Sequence, residues 1–162
     1  QGSGIDLRFV DTASLSKQQT SETIVPLAIK TSTITFDQKI EYDMLDKINA
    51  QRKNEGLEPL NYDNALSNVA RDHSIDMMNK RYFAHISLSG KTPFDRLHDA
   101  KISYDLAGEN LAVSDSVDKA ITALMESPTH RANILNKDFH KAGIGIAINQ
   151  DGVLVISQEF TN

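Results

Sequence analysis

Residues 82–136 carry three short polar islands among apolar residues: YFAHIS around His85, AGENLA around Glu109 and SPTHRANILN around His130. An imidazole, a carboxylate and a second imidazole can share a metal ion or pass a proton if the fold gathers them. Glu109 stands between small and apolar neighbours (Ala107, Gly108, Leu111, Ala112), so its carboxylate is headed for burial and needs partners there. Histidines are suitable partners. An imidazole beside a carboxylate holds a preferred tautomer, and two such imidazoles can bind a divalent cation. His85 and His130 are therefore the candidate metal ligands, with zinc or another divalent cation as the ion. The competing reading is a hydrogen-bond network that closes a loop on the core. Spacing alone favours it, because the two histidines lie 45 residues apart and no HExxH pattern is present. There is no GxSxG either, and Ser87 reads as a loop serine. If Glu109 accepts bonds from buried donors, truncating it should cost on the order of 1 to 3 kcal/mol.

Several elements must position these groups. Ile40, Met44, Leu45 and Ile48 form one stripe of an amphipathic helix that should stop near residues 54–56, with Gly56 as its cap and Pro59 preventing early resumption. Asp63 or Asn64 can cap a second helix whose buried face takes Leu66, Val69, Ala70, His73 and Met77. His73 reads as a core or boundary histidine with a satisfied ring nitrogen. The helical period ends after Phe83, which leaves His85 in a loop; Pro93 then opens a short helix through Phe94, Leu97 and Ala100. Residues 102–113 look mixed, broken by Gly108. Ser114 or Asp115 caps a helix with the stripe Val117, Ala120, Ile121 and Leu124, and Pro128 ends it or opens a further short one carrying His130. The alternation GIGIAI, the turn at Asp151 and Gly152, and VLVISQEF predict a closing β-hairpin. Helices followed by strands make an α+β domain.

A chain of 162 residues with 40% apolar content suits one domain with a real core. A net charge of -5 and scattered Lys and Arg supply no basic footprint, so nucleic acid is not an expected partner. The lack of cysteine excludes disulfides, thiolate zinc sites and a cysteine nucleophile. Apolar runs of a few residues fall far short of the roughly 20 that span a bilayer. The start QGSG without Met is expected to be a processed or engineered one. Residues 1–35, rich in Ser, Thr, Gln and Lys, read as a tether or an arm lying on the domain; residues 36–162 are the domain itself.

The order INAQR (48–52), GLEPLNYD (56–63), YFAHIS, TPFDRL (92–97), AGENLA, SPTHRANILN and GIGIA with ISQEF resembles the bacterial branch of the CAP superfamily. These are the cysteine-rich secretory proteins, antigen 5 and pathogenesis-related proteins, also called SCP-like extracellular proteins. The similarity spans residues 36–160. It implies an α-β-α sandwich with a central antiparallel sheet, export from the cytoplasm, and a cleft lined by two histidines and two acids. Carried over by position, His85 and His130 match the histidines and Glu109 the glutamate of the GEN motif. The second acid falls to Glu126, although Leu124 stands where a Trp is common in eukaryotic members. The absence of cysteine agrees with the bacterial branch. The function implied is a monomeric secreted or surface-anchored binding module, lipid-anchored through a group outside this chain, with a protein or lipid ligand. The alternatives are a hydrolase in which Glu109 activates a water held by His85 and His130, and a sterol or lipid carrier.

Overall fold

Short strands β1 (Val25–Pro26) and β2 (Ile34–Thr35) precede helix α1 (Gln38–Asn54) in the computed structural model, which describes residues 22–162. The tether reading of residues 1–21 lies outside the described residues. Asp37 caps α1 by accepting from the Lys39 amide, and the chain leaves it through Gly56 at φ 71°, a left-handed conformation that favours a residue without Cβ. Met44, Leu45 and Ile48 are buried along its stripe.

Strand β3 (Asn61–Tyr62) leads to α2 (Asn64–Lys80), capped by Asp63 through the Leu66 amide. Then come β4 (Tyr82–Phe83), and α3 (Pro93–Asp99) with a reciprocal Thr92–Asp95 cap. After these follow β5 (Ala107–Ser114), α4 (Val117–Glu126), α5 (Pro128–Ile134), β6 (Lys141–Asn149) and β7 (Leu154–Thr161). The cap of α4 is Ser116, one or two residues later than the sequence suggests.

The main sheet runs β2-β6-β7-β5, antiparallel throughout, with β3 added in parallel to β6; β1 and β4 pair separately. The expected hairpin is β6 and β7. Residues 102–113 depart from expectation, because β5 continues straight through Gly108. A Cβ there would lie 3.0 Å from both Asn133 Oδ1 and Phe139 Cζ, so this glycine makes room for a neighbour and breaks nothing.

Alternation along the strands gives the sheet two distinct faces. Ala112, Ile144, Ile146, Ile156 and Phe160 form a core with Met44, Ile48, Ala120, Leu124 and Ile134 from α1, α4 and α5. On the opposite face Leu111, Val113, Ala147 and Val155 meet Met77 and Met78 of α2. The result is an α-β-α sandwich. Gly143 and Gly145 let α2 press directly on β6: a Cβ at Gly145 would sit 1.9 Å from the Arg71 amide nitrogen. Through this close approach the Ser74 hydroxyl donates to the Gly145 carbonyl (2.8 Å) and meets Ser157 Oγ at 2.7 Å.

Candidate functional site

His85 follows β4, in a loop closed by the Ser87 amide donating to the Lys91 carbonyl (2.9 Å). Its ring is buried, and Nδ1 lies 2.7 Å from Glu109 Oε1. The other oxygen of Glu109 accepts from Arg96 Nη2 at 2.6 Å, while Arg96 Nη1 donates to the His85 carbonyl at 2.8 Å. One guanidinium on α3 therefore holds the carboxylate on β5 and the backbone of the histidine at once. With Glu109 ionised and accepting, the neutral His85 ring carries its proton on Nδ1 and presents a lone pair on Nε2. That Nε2 is buried and makes no hydrogen bond.

A second acid stands directly across the sheet. Register pairs Glu109 with Glu159, so both side chains leave the same face of adjacent strands. Burial, then the charge of Glu109 beside it, pushes Glu159 well above the usual carboxylate range, and both of its side-chain oxygens are buried without a hydrogen bond. Burial alone would raise Glu109 as well, but Arg96, the Glu159 carboxyl across the sheet, His73 and the His85 bond together hold it well below that range. The two facing carboxyls are thus driven in opposite directions, Glu109 toward the ionised form and Glu159 toward the protonated one.

His73, on α2, donates from Nε2 to the Ala84 carbonyl (2.8 Å) and is a core histidine. Burial, with the Arg96 charge adding to it, lowers its pKa from 6.5 to about 4. The unfolded chain takes up this proton near pH 6.5 and the folded one only near 4. The stability it contributes is therefore whole above pH 6.5 and is lost as pH falls toward 4, about 3 kcal/mol in all. Urea unfolding at pH 7, 5.5 and 4.5 should reveal this loss in the wild type and a shallower slope in His73→Gln. Parallel pH profiles for the two proteins would refute it.

His130 is buried on α5, where Nδ1 meets Ser127 Oγ at 2.7 Å. Its carbonyl accepts from Asn110 Nδ2 (3.1 Å), and Asn133 Nδ2 donates to Asn110 Oδ1 (2.9 Å). Consecutive residues of β5 thus serve opposite faces, Glu109 holding His85 and Asn110 holding the backbone of His130. Arg52 steadies the end of α5 from α1, donating to the carbonyls of Ile134 (2.9 Å) and Asn136 (2.8 Å).

The structure brings His85 and Glu109 into contact and ties His130 to the same strand. Glu126 is not part of this arrangement: it is the last residue of α4 and is exposed. The acid beside Glu109 is Glu159, which no sequence-local offset from His130 could reveal, because cross-strand register brings it there. Arg96 was also missed, although it lies inside TPFDRL; in VLVISQEF the alternation that buries Val155 and Ser157 carries Glu159 to the same face, and that was the available signal.

A divalent cation fits these residues poorly. Both oxygens of Glu109 are engaged, Arg96 adds positive charge beside them, and among the described residues no group of three or more His, Asp and Glu is arranged to hold a metal ion. Beside Glu109, His85 Nε2 and both oxygens of Glu159 are buried without a hydrogen bond. The same loop also receives the arm: Glu22 Oε1 accepts from the Ile86 amide. Burial raises the pKa of that carboxyl, with the Ile86 amide and His85 pulling against it.

The family model described as CAP, the cysteine-rich secretory protein family, matches residues 45–160. The YkwD protein of Bacillus subtilis is 36% identical over 136 residues, 83% of this chain and 51% of that protein. A Borreliella burgdorferi protein is 32% identical over 107 residues, 66% of each. Among solved structures, an extracellular protein containing an SCP domain from Bacillus anthracis is 31% identical with a TM-score of 0.71, over 78% of this chain and 41% of that one. An outer surface protein from Borrelia burgdorferi is 25% identical with a TM-score of 0.75, over 80% of this chain and 97% of that one. The chain thus spans about half the length of YkwD.

Proposed function

The chain belongs to the CAP family of cysteine-rich secretory proteins, and on that premise we propose that it works as a monomeric binding module outside the cytoplasm, receiving its ligand in a cleft that opens at His85. The observation that carries this reading is the state of His85: Nδ1 is committed to Glu109, while Nε2 is buried without a hydrogen bond. A buried lone pair left without a donor costs stability, and a ligand that supplies the donor recovers it. The location draws support from relatives described as an extracellular protein and an outer surface protein. Attachment to the surface by a lipid belongs to the same proposal, as does a protein or lipid ligand.

A divalent cation shared by His85 and His130 is the second proposal and the weaker one, because the residues around Glu109 fit a cation poorly and consecutive residues of β5 hold the two histidines from opposite faces. It is favoured by the carboxylate on Nδ1, the usual way of orienting a ligating imidazole. The hydrolase reading has less support, since a doubly bonded carboxylate held well below its ordinary pKa is a weak general base. Among the described residues no hydroxyl is bonded to either ring nitrogen of His85.

Purified protein, with and without added zinc, should turn over neither peptide nor ester substrates above a His85→Ala, Glu109→Ala control. Cleavage that disappears in that control would replace the binding module with the hydrolase. Zinc calorimetry on the same material separates the two binding proposals. Heat present in the wild type and absent in the His85→Ala, His130→Ala protein supports the cation, and equal heats reject it.

A further inference from the structure

β1 runs antiparallel to β4, pairing Val25 with Phe83 and Pro26 with Tyr82, and the Leu27 amide donates to the Arg81 carbonyl at 3.0 Å. Continuing this register toward the N-terminus sets Glu22 opposite Ile86, and there the Glu22 carboxylate accepts from the Ile86 amide. Its other oxygen, Oε2, is buried without a hydrogen bond, as is His85 Nε2. An extended segment therefore delivers a carboxylate to the residue next to His85. Alternate arm residues Val25, Leu27 and Ile29 pack partly buried against the core formed by Met77, Met78, Tyr82 and Phe83. Pro26 has no N–H to donate, which keeps the backbone ladder short. Little backbone pairing holds the arm down, and its side chains follow the spacing of a strand-type ligand.

Resting on the reading of the cleft as a binding site, we propose that the edge formed by residues 82–86 is a receptor for an extended acidic peptide, and that residues 22–29 of the arm occupy it in cis. Recognition is by strand addition. The backbone of β4 supplies main-chain bonds, the core beside it accepts apolar side chains at alternate positions, and the Ile86 amide takes the carboxylate in a charge-assisted bond. The peptide's acid stands three, five and seven residues before its apolar anchors, as Glu22 does before Val25, Leu27 and Ile29. Because the arm is covalently attached, its effective concentration is high, and a free peptide enters only when the arm lifts.

The test uses the full chain and a fluorescein-labelled peptide with the sequence of residues 22–30, ETIVPLAIK. In the Glu22→Ala, Val25→Asp, Leu27→Asp protein, anisotropy should report peptide binding at least about tenfold tighter than in the wild type, whose own arm competes. A peptide with alanine in place of its glutamate should bind the same variant about tenfold more weakly, the worth of one charge-assisted bond. Equal peptide affinity for wild type and variant, or indifference to the glutamate, overturns the proposal. If that variant fails to fold, Glu22→Gln decides: amide exchange at Ile86 should quicken about tenfold, and an unchanged rate overturns the proposal. Cleavage of the peptide, read by mass spectrometry in the same samples, would count against the binding-module reading and leave the acidic-peptide receptor standing.

Discussion

Glu109→Ala is expected to lose on the order of 3 to 5 kcal/mol of stability, the usual cost of removing one partner of a buried ion pair. The sequence alone suggested 1 to 3 kcal/mol, for a carboxylate with neutral donors. The larger figure follows from Arg96, whose Nη2 bonds Glu109 Oε2 at 2.6 Å with only 12% of the arginine side chain exposed. Alanine leaves that guanidinium charged and without the carboxylate it bonds, and leaves His85 Nδ1 without an acceptor. At roughly 2 to 4 °C per kcal/mol for a domain of this size, the melting temperature should fall by on the order of 10 °C. Glu109→Gln provides the internal control. Its amide oxygen can still accept from Arg96, but its NH₂ can only donate to His85, so the imidazole must move its proton to Nε2. Ring-nitrogen NMR should then report the opposite tautomer with a smaller stability loss. A melting temperature unchanged in Glu109→Ala would show that the pair contributes nothing, and the account of the site would fail with it.

Gly145→Ala should be more damaging still, with a loss beyond about 4 kcal/mol or failure to give soluble folded protein. A methyl group there would lie 1.9 Å from Arg71 N and 2.2 Å from Ala70 C, which are helix backbone atoms with no rotamer to escape into. To regain ordinary contact α2 would have to retreat by roughly 1.5 Å. That movement pulls Ser74 off the Gly145 carbonyl and off Ser157, and shifts His73, which reaches Ala84 from the same helix. The damage would thus extend to the loop carrying His85. Gly152→Ala makes the comparison: that turn glycine, at φ 78° with nothing near its Cβ position, costs only the strain of a left-handed residue, about 1 kcal/mol. Equal stability of the two variants would refute the packing argument.

What the sequence by itself determined is what depends on short-range periods and on caps. The stripe of Met44, Leu45 and Ile48 needs only a period of 3.6 residues, Asp63 caps through an amide three positions away, and GIGIAI with VLVISQEF needs only alternation. The order of its polar islands was enough to recognise the family, because motifs in sequence are preserved as sequence. Strand β5 escaped that reading, since an edge strand carrying Gly108, Glu109 and Asn110 has no apolar alternation in its first half and takes its conformation from pairing with β7. Only the tertiary structure decided the company of Glu109. Its partners come from a loop after β4, from α3 and from the last strand, up to 50 residues away in the chain, as Glu159 is. Which of two carboxyls ionises is likewise a tertiary property: it is set by Arg96 beside one acid and by that acid's charge beside the other, and no spacing along the chain encodes either distance.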